Sequence, residues 1–226
     1  MQRLRSLVQT PGEAALGFPI ARLVAITAYG SGALLDMAYA PFQGKGTGEH
    51  SLLRSMLDNF SEGDIVVADR YYTFYFLIAE LQSRGVDIVM QQHATRRTDF
   101  CKGQRLDSRD HLVEWRKPAK PKWMERDYYE QFPDKLPARE LQAGKKVLVT
   151  TLLSNKAAPR KQLSNLYNNR WQVELNLREI KTTLGMDILR CKTPEMVVKE
   201  IWVYLLTYKS YSLANESISS TKRYTP

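Results

Sequence analysis

Tyr167, Arg170, Glu174 and Lys181 are the residues whose types and spacing best suit chemistry. The last three follow the tyrosine by 3, 7 and 14 positions. At roughly 100° per residue they fall near about 0°, 300°, 340° and 320° of a helical wheel, so a helix through them shows all four on one face. On such a face a carboxylate can hold a metal ion while the cations and the phenol take up phosphate charge. Leu166, Val173, Leu177, Ile180 and Leu184 form a separate apolar stripe, about 70–80° further round. The polar set therefore runs along the edge of the buried face. The plainer account is a solvated face with an i,i+4 pair, Arg170–Glu174, worth only a few tenths of a kcal/mol.

A second carboxylate stands out by position. Asp69 closes a short apolar run, Ile65-Val66-Val67-Ala68, that follows Gly63. Functional side chains of α/β folds emerge where strands end, at the carboxyl edge of the sheet. An aspartate there also makes turns and caps helices, and the residues alone leave both roles open.

Composition narrows the partner. The 226 residues carry a net charge of +9 with a pI near 9.5, which points to a polyanion: nucleic acid first, an anionic membrane surface second. The charge is uneven. Residues 92–165 hold 17 Lys and Arg against 9 Asp and Glu, a balance of +8 within the chain's +9. A hydrophobic content of 43% is ordinary for a soluble protein. No apolar run approaches the ~18–20 residues of a membrane span, and no signal peptide opens the sequence. Cys101 and Cys191 lie far apart without a CxxC pattern, which argues against zinc and fits a reducing cytoplasm. His50, His93 and His111 show no ligand spacing.

The elements that must position these groups read as an α/β chain. Residues 18–27 and 33–40 are expected strands joined by a Ser31-Gly32 turn. Residues 43–48 form a glycine-rich loop that lacks the ending of a phosphate-binding P-loop. Helical spacing follows over 49–59, the strand 65–68, a helix over 72–84 closed by Gly85, and a strand over 86–90. Residues 92–158 read as a basic, mainly β insertion, with strands at 137–141 and 147–153 and a proline-interrupted basic loop through Lys120, Lys122 and Trp123. Pro159 suits the first turn of the long helix and Gly185 its end. Thr193-Pro194 is an N-cap and N1 pair opening a last helix to about residue 208.

Tyr-x2-Arg-x3-Glu-x6-Lys resembles the third-carboxylate motif of the insertion-sequence-four family of DDE transposases. Gly17-Phe18-Pro19-Ile20-Ala21-Arg22-Leu23 looks like the start of that family's second core strand. Val66-Val67-Ala68-Asp69-Arg70-Tyr71-Tyr72 looks like the strand end bearing its second catalytic aspartate. Lys181-Thr182-Thr183-Leu184-Gly185-Met186 and Thr193-Pro194-Glu195-Met196 are similar to family sequence too, so the resemblance covers about residues 15–208. It implies a ribonuclease-H-like mixed sheet with flanking helices, and two Mg²⁺ or Mn²⁺ ions held by three carboxylates in the intact enzyme. It makes Asp69 and Glu174 catalytic metal ligands. Tyr167, Arg170 and Lys181 would contact phosphates of double-stranded transposon ends. Trp171, Lys120 and Lys122 are further expected DNA contacts, with Trp115 and Trp123 as possible stacking or core residues. A bacterial, cytoplasmic, DNA-associated protein is implied.

The departure from the pattern lies upstream. The family's first aspartate precedes the Gly-Phe-Pro stretch, and here the sole carboxylate before Gly17 is Glu13. Asp36 sits on the wrong strand to replace it. The resulting expectation is an incomplete fold with its first strand missing and an unpaired sheet edge. Five segments are expected: residues 1–15 a disordered or remnant N-terminus, 16–91 the first part of the core, 92–158 the insertion, 159–208 the catalytic and following helices, and 209–226 a disordered or degenerate tail. Function then divides between a truncated transposase with impaired cleavage and a non-catalytic DNA-binding remnant. The latter would compete with an intact enzyme, or form a homodimer or a mixed oligomer with it.

Overall fold

The computed structural model describes residues 2–5, 21–30, 32–182, 185–186, 188–191 and 193–221. Glu13, residues 17–20, Thr183 and Leu184 lie outside the described residues, as do the side chains of Val173, Glu174, Leu177, Ile180 and Lys181. In chain order the elements are β1 (Gln2–Arg5), β2 (Ala21–Thr27), β3 (Leu34–Pro41), α1 (Glu49–Arg54), β4 (Ile65–Ala68), α2 (Tyr75–Ser83) and β5 (Asp87–Gln91). They continue with β6 (Gln104–Asp107), β7 (Asp110–Arg116), α3 (Arg126–Glu130), β8 (Lys135–Ala143), β9 (Lys146–Thr150), α4 (Arg160–Thr182) and α5 (Pro194–Thr221). The chain divides into two compact units, Met1–Asn59 with Trp171–Pro226, and Phe60–Arg170. Among the described residues no helix is long and apolar enough to cross a membrane.

The first unit holds an antiparallel sheet in the order β1-β2-β3. The expected hairpin is present, with Gly32 at φ 70° where the chain turns. Its core is the packing of α5 on this sheet. Val197, Ile201, Leu205 and Tyr208 recur at helical spacing and bury against Leu23, Ala25 and Met37, joined by Met186. Thr193 accepts a bond from the Met196 amide at 3.4 Å, in keeping with the expected N-cap.

Two expectations for this unit need correction. Residues 2–5 are not disordered but pair with β2, Leu4 opposite Leu23 and Arg5 opposite Arg22. They satisfy backbone groups that would otherwise line an open edge. The strand expected to be missing beside β2 thus has a counterpart, although β1 contains no carboxylate. At the other end, the expected degenerate tail is helical to Thr221. Residues 209–221 hold neither glycine nor proline, so nothing in them stops a helix already propagating. Ser210 donates back to the Leu206 carbonyl at 2.9 Å, a bond that accommodates a hydroxyl within a helix.

Glu200 on α5 supplies a pH-sensitive tie in this unit. Its carboxylate accepts from the backbone amides of Arg190 and Cys191, both at 2.9 Å. Burial acts to raise its pKa, but those amides, the Cys191 thiol and the Arg190 charge outweigh it and hold the carboxyl below its ordinary value. A depressed native pKa contributes stability above the unfolded-state pKa, and that contribution is lost as pH falls through the native value. Glu200→Gln is therefore expected to lower the melting temperature at neutral pH and to leave it unchanged once the pH is below the native pKa. Equal losses at both pH values would show that ionisation is not the source.

The second unit is built on a six-stranded sheet, β4-β5-β9-β8-β7-β6. β4 and β5 are parallel, with Ala68 opposite Met90, and α2 makes the crossover between them. Every residue of α2 from Tyr75 to Leu81 is buried, which explains a helix with no polar face. Gly85 follows it at φ 70°, where a Cβ would stand 2.7 Å from the Glu62 side chain. α2 starts at Tyr75 rather than at 72, because a short 3₁₀ turn over Arg70–Tyr72 intervenes.

The expected insertion is not separate from this sheet. β9 pairs directly with β5, Met90 opposite Val149, so the β-rich segment extends the strands of the expected core. A continuously apolar strand such as Ile88-Val89-Met90 is covered on both faces, and β9 pairs its second edge. Meanwhile β1–β3 form a distinct hydrogen-bonded sheet, so a single mixed sheet through all the core strands is not what the described residues form. Pro137 fits within β8 because it pairs with Glu114 of β7 beyond the end of β9, where no strand requires its missing N–H.

Candidate active site

The second unit brings three strand ends together at one edge. The register of β4 with β5 sets Asp69 abreast of Gln91, and that of β5 with β9 sets Gln91 opposite Leu148, two residues from Lys146. Asp69 is half-buried. Its Oδ1 accepts from the Tyr71 amide at 2.8 Å and caps the 3₁₀ turn, so the capping role is real. Its Oδ2 has no hydrogen-bond partner among the described residues. Thr73, at the end of the same turn, donates to the Gln91 carbonyl at 2.6 Å and ties the turn to β5.

α4 reaches this edge through Tyr167. The phenol is 2% exposed and donates to the Gln91 side-chain oxygen at 3.2 Å. The Arg170 guanidinium lies 5.5 Å from the centre of the Tyr167 ring, and the Lys146 ammonium 5.2 Å from it. The hydroxyl thus serves a bond inside the protein, and the ring lies beside two cations. Gln91 was missed in the sequence reading. The available signal was its place at the end of an apolar strand parallel to the one closed by Asp69.

A buried ion pair fixes the start of α4. Arg139 of β8 donates to both oxygens of Asp110, at 2.8 and 2.7 Å, and to the Ala158 carbonyl at 2.7 Å. Arg160, in the first turn of α4, donates to Asp107 at 2.9 Å and to the Ser108 carbonyl. The helix that carries Tyr167 and Arg170 is thereby held against β7 and β8 by charge-assisted bonds.

The remaining candidates separate by exposure. Trp171 and Trp123 are 58% and 54% exposed, but Trp115 is core. It donates to Glu140 at 2.8 Å, and the Arg96 guanidinium lies 3.8 Å from its ring centre. Lys122 is exposed, while the Lys120 ammonium donates to the Met124 carbonyl at 2.7 Å and so folds back on its own loop. His111 is buried, its ring nitrogens facing the Lys102 carbonyl and Glu140, a structural placement. A cavity of about 630 Å³, lined by residues such as Ile65, Leu152, Leu163 and Leu166, offers no titratable side chain and carries no chemistry.

The unbonded oxygen of Asp69 fits a hard divalent cation as one ligand. No group of three His, Cys, Asp or Glu gathers among the described residues, so they do not complete such a site by themselves.

Residues 9–209 match the family described as the transposase DDE domain. The transposase InsG for insertion sequence element IS4 of Escherichia coli K12 is 26% identical over 168 residues, covering 71% of this chain and 37% of that protein. The transposase for insertion sequence element IS421 of Escherichia coli is 36% identical over 69 residues, 30% of this chain and 19% of the relative. The chain thus spans well under half the length of these relatives. Among solved structures, a piggyBac transposase in a synaptic complex with hairpin DNA aligns with 90% of this chain and 42% of its own, at a TM-score of 0.53 and 10% identity. That likeness bears on the fold alone, and it fits a ribonuclease-H-like transposase core.

Proposed function

Because the chain belongs to the transposase DDE domain family, we propose that it acts on the DNA ends of an insertion sequence, binding them and taking part in phosphodiester cleavage and strand transfer. The observation that carries this reading is the edge itself: a strand-end carboxylate with one unbonded oxygen, abreast of the residue that anchors Tyr167 and, through its ring, Arg170. Asp69 and Glu174 are the residues proposed to hold Mg²⁺ or Mn²⁺, which when bound would polarise the phosphodiester and its attacking oxygen. Arg170 and Lys181 neutralise backbone phosphates, Tyr167 holds the guanidinium in place, and exposed Trp171 stacks on a base. Lys122 and the Lys120 loop add to the basic surface. The proposed setting is the cytoplasm of a bacterium.

The same residues favour slow or absent cleavage by this 226-residue polypeptide on its own. β1 carries no carboxylate, and Asp36 accepts from the Met37 amide and Asn59. The second reading, a DNA-binding regulator that competes with an intact transposase or oligomerises with it, draws on that shortage and on the +8 balance of residues 92–165.

The test pairs duplex binding with nicking of supercoiled plasmid in Mn²⁺. Salt-sensitive binding with no nicking is expected. Nicking that disappears in Asp69→Ala would establish catalysis by this chain and overturn the impaired reading. Failure to bind duplex DNA at low salt would remove the DNA function itself.

A further inference from the structure

The turn between β6 and β7 holds Arg109, the one residue other than glycine with a positive φ among the described residues, at 52°. Asp107 pairs with Asp110 across this turn, so Arg109 takes the second of its two central positions. A positive φ there favours glycine or asparagine, because a longer side chain crowds its own backbone. Packing does not call for the arginine. Its side chain is exposed and enters no hydrogen bond, ion pair or ring contact among the described residues.

The two aspartates beside it are its nearest partners in sequence, and both are taken. Asp107 accepts from Arg160 at 2.9 Å and from the Ser108 amide at 2.7 Å, while Asp110 accepts from Arg139 through both oxygens. The Arg109 carbonyl accepts from the Gln142 amide at 2.9 Å, and Arg160 also donates to the Ser108 carbonyl. A full charge is therefore held on a fixed turn without a counter-ion. Strained backbone that the fold does not need gathers where a side chain serves a ligand. A planar guanidinium with its donors open suits a phosphate.

Strand register puts this turn in the row of Asp69. Asp110 lies opposite Leu141, Leu141 opposite Leu148, and Leu148 opposite Gln91, which stands abreast of Asp69. From β4 to β7 the row crosses four interstrand steps, about 19 Å in all. A duplex covers that distance in roughly six base pairs, at about 3.4 Å each.

We propose that Arg109 binds a backbone phosphate of duplex DNA, so that the β6–β7 turn extends the DNA site along the sheet end from Asp69. This rests on the DNA-acting function above and adds to it a contact from a different element.

The test reads the melting temperature of the full chain and its affinity for a fluorescein-labelled duplex of mixed sequence, titrated over a range of salt. Losing one phosphate contact should reduce the slope of log K against log[salt] by about 0.9 and weaken binding roughly 5–10-fold near 0.1 M salt. Arg109→Gly is expected to do both while melting no lower than the wild type, since glycine accepts the positive φ. Arg109→Lys should keep the slope. Arg116→Gln, which removes an exposed cation at the far end of β7, should leave slope and affinity unchanged. If Arg109→Gly binds like the wild type, the Arg109 assignment falls while the DNA reading stands. It falls too if Arg116→Gln matches Arg109→Gly, because the effect is then general charge. A lower melting temperature in Arg109→Gly would show that the arginine serves the fold, which also overturns the assignment. If the wild type binds no duplex, both readings fall together.

Discussion

Arg139→Ala lowers the stability of the Phe60–Arg170 unit by about 3–5 kcal/mol, the cost of leaving one member of a buried ion pair alone. Arg139 is 0% and Asp110 2% exposed, so water cannot replace the lost guanidinium. After truncation, the Asp110 carboxylate would keep only the Arg160 Nε, 3.9 Å away, and the Ala158 carbonyl would lose its donor. Against a typical total of about 5–15 kcal/mol, that is a large fraction of what holds a domain folded. Denaturant melts of the variant check the loss. The double change Arg139→Met with Asp110→Leu should recover much of it, since removing both charges of a buried pair is often close to neutral. A single-variant loss under about 0.5 kcal/mol would mean that the pair is solvated and does not anchor α4.

Tyr167→Ala combines a stability loss with a binding loss. Emptying a buried aromatic site costs about 3–5 kcal/mol, and here it also removes the ring that supports Lys146 and Arg170. DNA affinity should fall along with the melting temperature. Tyr167→Phe separates the effects, because it deletes the hydroxyl with its bond to Gln91, worth about 1 kcal/mol, and keeps the ring. Its DNA affinity should stay near the wild type. Loss of binding in the phenylalanine variant equal to that of alanine would show that the hydroxyl itself meets DNA, contrary to its burial.

Local chemistry was legible in the sequence where one residue decides the backbone. Gly32 and Gly85 sit in turns at positive φ, and Thr193-Pro194 opens α5. The run 65–68 is a strand because it is apolar and short, and Asp69 stands at its end for the same reason. Contacts distant in sequence were not legible. The pairing of β1 with β2 depends on an edge that four residues cannot announce, and that of β9 with β5 on which apolar strand finds which. Helical angles set Tyr167 at the rim of the buried face, but they do not say that Gln91 will accept its hydrogen bond. The ending of α5 was misread because serine-rich sequence carries a weak signal, whereas a helix already packed through Val197, Ile201 and Leu205 extends at little cost.

The adjacency of β5 and β9 also sets an order of assembly. β4, α2 and β5 are close in sequence and can meet early, as can the hairpin of β8 and β9, whose turn is Gly144 at φ 60°. Joining the two halves means closing the chain from Val89 to Thr150, an entropic cost met only once the hairpin presents a whole strand. During synthesis β5 leaves the ribosome well before β9, and its outer edge must wait with bare amides and carbonyls. The Lys146 end of the edge therefore joins late, beside an Asp69–Gln91 pair that β4 and β5 can already define.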